Sequence, residues 1–206
     1  MTSFIHDDRA IMEIPLRLLV YIILTAAIVA IAAAGMKYLE QGRTADIMEK
    51  QIGEMKVTLK LMQSGSSRNL IDTTAPTGNI RTYKLTIPDD VEFLSFGVDP
   101  DPENDHNLTN TPHGMLTENG NVIYYRSRTG GKARIPLESS IELREGLLEN
   151  GRWFLDNGMQ YGVVLHDPGD YMITFELVYD PVLKERYTLI HLTDDLNAYI
   201  DPYDTA

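Results

Sequence analysis

The first apolar pattern along the chain is an uninterrupted run near the N-terminus. Residues 18–36 contain 19 positions without a charged side chain. As a helix rising ~1.5 Å per residue, this run is about 28 Å long, close to the hydrocarbon thickness of a bilayer. A helix that is apolar on every face has few places to be buried in so small a protein. The pattern therefore predicts a membrane span, with a secretory signal cleaved after Ala32-Ala33-Ala34 as the alternative.

A second pattern follows on one helical face. Apolar residues recur at spacings of 4, 3, 4 and 3, at Met48, Ile52, Met55, Leu59 and Met62. This is a heptad stripe, and the same rule extends it backward to Ala45, Gln41 and Tyr38. Two interpretations remain open from the sequence. The stripe either packs on its own globular domain or forms a contact between identical helices of neighbouring subunits. Both can hold if the upper part of the helix lies between subunits and the lower part packs on the domain.

The helical pattern ends at residues 64–67, and residues 66–79 are typical of a linker. Beyond them the pattern has period two, which predicts strands at 80–87, 91–98, 121–128, 132–137, 139–144, 161–165, 171–179 and 186–192. Pro88, Asp89 and Asp90 suit a hairpin connection between the first two strands. The predicted fold class is α+β, with a long N-terminal transmembrane and amphipathic helix followed by an antiparallel β-sandwich-like head domain.

Charge belongs to the β-rich part. The 206 residues carry a net charge of -12. Residues 1–45 hold four basic and four acidic side chains, whereas residues 46–206 hold 14 basic and 26 acidic ones. This negative field disfavours nucleic acid as a partner. The absence of cysteine excludes disulfides, thiolate zinc sites and cysteine nucleophiles.

Motifs for catalysis are missing from the sequence. It contains no G-x-S-x-G, no H-E-x-x-H, no P-loop and no G-x-G-x-x-G. The five histidines form no pair at ligand spacing on a recognisable element. The sequence therefore predicts no catalytic residue, no metal site, no cofactor and no enzyme activity.

One loop has two features that suggest chemistry. Asp99, Asp101, Glu103 and Asp105 alternate along it, as oxygen ligands do in calcium loops. Prolines at the intervening positions and the missing turn glycine favour a solvated acidic loop instead. Asn107 begins the sequon Asn-Leu-Thr and is a glycosylation candidate if the domain lies outside the cell.

The residues before the apolar run carry a family resemblance. Residues 7–17 read DDRAIMEIPLR, which resembles the class III signal of type IV pilins and archaeal pilin-like proteins. In that family a prepilin peptidase cuts before the apolar stretch. Arg9 and Ala10 match the positions before the cut, and Ile11 would begin the mature chain. The order of short leader, apolar helix, amphipathic continuation and β-rich head also resembles this family.

The resemblance implies an organisation and a function. Residues 1–10 would be a cytoplasmic leader, 11–65 the helix, 66–79 a linker and 80–206 an extracellular β domain. The protein would be a single-pass cell-membrane protein, in contact with lipid, that assembles with itself or other pilin-like subunits into an extracellular filament. The assembly residues would be Glu13, Arg17 and the stripe Met48, Ile52, Met55, Leu59 and Met62. Glu13 comes earlier than the glutamate of the best-known pilins, and Pro15 and Arg17 follow it.

Two other functions are compatible with the sequence. The first is a single-pass surface protein whose β domain binds a ligand or partner without forming filaments. The second is a secreted enzyme that begins at Gly35 after signal cleavage. The mature N-terminus differs among the three, because a simple signal anchor keeps Met1.

Overall fold

The described residues form one long helix and strands in two main sheets. The computed structural model describes residues 8–72, 74–108, 120–128, 130–149, 152–155 and 162–192. Its elements are α1 (Asp8–Met62), β1 (Arg68–Asn69), β2 (Ile80–Ile87), β3 (Val91–Phe96), β4 (Val122–Ser127), β5 (Lys132–Pro136), β6 (Leu143–Glu145), β7 (Leu147–Glu149), β8 (Arg152–Phe154), β9 (Val163–Leu165), β10 (Gly169–Asp180) and β11 (Glu185–Leu192). The chain divides into two compact units, Met1–Gly42 and Arg43–Ala206.

The described part of the first unit is the N-terminal part of α1. Its segment Leu16–Met36 is long and apolar enough to cross a membrane, and none of it is buried within the protein. A signal sequence near an N-terminus has the same length and composition. The fold is therefore α+β with a candidate membrane helix.

The second unit contains the sheets. We call β1, β2, β10, β11 and β6 sheet A, and β5, β4, β3 and β9, in that order, sheet B. In sheet A, β10 pairs antiparallel with β2 and β11 and parallel with β1, while β11 pairs parallel with β6. Strands β7 and β8 form a separate antiparallel ribbon. Sheet A is thus mixed rather than wholly antiparallel as predicted, whereas every pairing in sheet B is antiparallel. The arrangement of the sheets as a sandwich stays a prediction.

The connection at Pro88, Asp89 and Asp90 is not the predicted hairpin. Strand β2 pairs with β10 in sheet A, whereas β3 pairs with β4 and β9 in sheet B. The turn carries the chain from one sheet to the other. A proline–aspartate turn reverses the chain locally but does not specify which strand becomes the partner.

One hydrophobic core joins α1 to both sheets. It contains Met48 and Ile52 from the helix, Phe175 from sheet A and Phe96 from sheet B. On β10 the residues Tyr171, Ile173, Phe175 and Leu177 are buried on the inner face, as the period-two pattern predicts. Glu176, on the other face of β10, is also buried, which that pattern did not predict.

Candidate assembly and membrane surfaces

The methionine-rich stripe is part of the subunit's own core. Met48, Ile52, Met55, Leu59 and Met62 are all fully buried within one copy of the chain. The assignment of these five residues to assembly is therefore corrected, because side chains covered by their own domain cannot contact a neighbouring subunit. The stripe was predicted to continue toward the N-terminus at Ala45. In the structure Ala45 is only half-buried, and its neighbour Thr44 is the buried residue.

Polar side chains fasten the helix to the edge of sheet A. The amide nitrogen of Gln51 donates to the carbonyl oxygen of Thr86 at 2.9 Å. The backbone N–H of Thr86 donates to the Gln51 amide oxygen at 2.8 Å. The hydroxyl of Tyr83 donates to the Gln51 carbonyl at 3.0 Å. Gln51 thus takes the place of a strand partner at the edge of β2, which holds the helix in one position on the sheet.

The segment after the helix, predicted to be a linker, is also fixed. The Asn79 side chain donates to the carbonyl oxygen of Met62 at the end of the helix, which also accepts the backbone N–H of Gly65. Arg186 donates to the carbonyl oxygens of Gln63 and Gly65. Residues 66–79 include β1, so this segment is an integral part of sheet A.

A buried ion pair lies where this segment meets β10. Arg68 donates from Nε and Nη2 to the two carboxylate oxygens of Glu176, at 2.7 and 2.8 Å. The backbone N–H of Gly78 donates to Glu176 at 3.2 Å. Any side chain at Gly78 would collide with the backbone, because its Cβ would lie 2.0 Å from the carbonyl oxygen of Leu177. His191 lies beside the pair, with Nε2 at 3.9 Å from Glu176.

The pKa values of Glu176 and His191 are both shifted by their surroundings in this cluster. Burial alone would raise the pKa of Glu176, but hydrogen bonds from Arg68 and Gly78 lower this pKa below its usual value. Burial lowers the pKa of His191 to about 4, with the charge of Arg68 adding to this effect and Glu176 opposing it. His191 is therefore neutral near pH 7.

We expect His191 to make stability depend on pH. Its pKa is 6.5 when unperturbed and about 4 in the fold, so between these values the unfolded chain binds more protons. The contribution of neutral His191 to the free energy of unfolding is fully present above about pH 6.5. It is lost as the pH is lowered to 4, which lowers the free energy of unfolding by about 2 to 3 kcal/mol. Denaturant unfolding at several pH values should show this slope. His191→Gln should remove this contribution to the slope, and an unchanged slope in His191→Gln would contradict the assignment.

The acidic loop after β3 is held by two basic side chains. Asp101 is buried, pairs with Arg126 and accepts hydrogen bonds from the backbone N–H groups of Asp105 and His106. Asp99 pairs with Lys132 at 2.7 Å. The prediction of a solvated loop is therefore wrong for Asp101, because its carboxylate is buried and forms an ion pair with Arg126. In the part of the chain that the structure describes, no three His, Asp or Glu side chains are grouped as metal ligands.

The glycosylation candidate lies near the end of the described part of this loop. Asn107 is exposed, and its backbone N–H donates to Asp105. Leu108 packs on the small apolar cluster beneath the loop that includes Phe93 and Tyr124. The third residue of the sequon, Thr109, lies outside the described residues. Modification of Asn107 stays a prediction.

The N-terminal candidates lie in the other compact unit. Arg9, Ala10, Ile11 and Glu13 are within α1, but their side chains lie outside the described part of the structure. Arg17 is on the same helix and is exposed. The roles of these residues in processing and assembly stay predictions.

Sequence reasoning missed two groups of residues. It did not identify the buried cluster of Arg68, Glu176 and His191. It also passed over Val57 and Leu61, which are exposed on α1 in the second unit. The sequence contained a signal for Val57 and Leu61. Both are apolar, yet they lie outside the heptad stripe, on a helix face whose other side chains are mostly charged.

Comparison with known proteins identifies no relative. The chain matches no protein-family model, no curated protein and no solved structure.

Proposed function

We propose that the protein is a type IV pilin-like structural subunit. It would be inserted in the membrane before assembly and polymerise through its N-terminal helix into an extracellular filament, with a sandwich-like acidic β domain outside. The observation that carries the proposal is the change of surface along α1. Leu16–Met36 is apolar and exposed all round, whereas from Met48 onward one face is buried in the domain's own core.

The physical argument concerns what covers the exposed segment. An all-round apolar helix must be buried by lipid or by other helices, because water around it is unfavourable. Identical helices leaving the bilayer can supply that cover to one another. Repetition of one heterologous contact then generates an open helical assembly. The negative charge of residues 46–206 keeps the outer domains solvated.

Sequencing the N-terminus of the mature full-length protein tests the proposal. It should be carried out in cells that contain a prepilin peptidase, together with electron microscopy of the sheared cell-surface fraction. We expect Ile11 as the first residue and filaments that contain this chain, because cleavage before the apolar stretch leaves that stretch available for the filament core. A first residue of Gly35 would instead indicate ordinary secretion. An intact Met1 without filaments would indicate a single-pass surface protein.

A further inference from the structure

No further inference is drawn: the strongest candidate, the exposed edge of β2 at Thr82 and Lys84 between the ends that Gln51 and Arg81 close, carries nothing because no observation on the described residues shows what would pair with it.

Discussion

Replacement of Ile52 by Asp is expected to unfold the β-rich unit, lowering the free energy of unfolding by more than about 4 kcal/mol. Ile52 is fully buried in the core that joins α1 to both sheets. The substitution removes apolar contacts and places a carboxylate inside the hydrophobic core. The measurement is denaturant unfolding of the full-length protein in mild detergent, followed by circular dichroism.

The control for this prediction is on the same helix. Val57→Asp introduces the same side chain at a β-branched residue that is exposed rather than buried, and should change stability by less than about 0.5 kcal/mol. The contrast tests whether the stripe is an internal core. Equal stability of the Ile52→Asp and Val57→Asp proteins would mean that the stripe is covered by another subunit and not by its own domain.

The sequence predicted the helix and its buried face because both depend on local periodicity. The spacing of Met48, Ile52, Met55, Leu59 and Met62 shows that one face is apolar whatever covers it. It contains no information on the covering surface, which belongs to strands far along the chain. The choice between own domain and neighbouring subunit therefore needed the structure.

The strands were predicted better than their pairing. The predicted 80–87 coincides with β2, and 171–179 lies within β10. The bonding of β2 to β10 joins residues about ninety positions apart, as in the pair Thr82 and Thr174. Period two cannot specify such a partner. Strand β1 and the β7–β8 ribbon, in segments of two or three residues, were missed, whereas the equally short β9 lies within the predicted 161–165.

The sequence did not predict the buried ion pair of Arg68 and Glu176, again because its two residues are far apart along the chain. Arg68 and Glu176 are separated by 108 residues, and charged residues in a sequence are normally read as exposed. Glu176 occupies a position of β10 that the alternation assigned to the solvent side. The segment after α1 lies over this position, with Gly78 against Leu177 and Arg68 bonded to Glu176.

Arg68→Ala is expected to lower the free energy of unfolding by about 3 to 5 kcal/mol at pH 7, because it leaves the Glu176 carboxylate buried without its counter-ion. The comparison is Lys84→Ala, which breaks the exposed pair of Lys84 with Asp170 at 2.7 Å and should lower the free energy of unfolding far less, because solvent screens that pair. Both values come from denaturant unfolding of the full-length protein. A loss below about 1 kcal/mol in Arg68→Ala would contradict a structural role for the buried pair.

The pH dependence of Arg68→Ala separates loss of the counter-ion from loss of packing. In the wild type, hydrogen bonds from Arg68 and Gly78 lower the pKa of Glu176 against the effect of burial. Without Arg68, burial raises this pKa, so the carboxyl group becomes neutral as the pH falls. The deficit of Arg68→Ala relative to the wild type should therefore be smaller at pH 4.5 than at pH 7, and Arg68→Ala/Glu176→Gln should be more stable than Arg68→Ala at pH 7. A deficit independent of pH would assign the loss to packing of the arginine side chain instead.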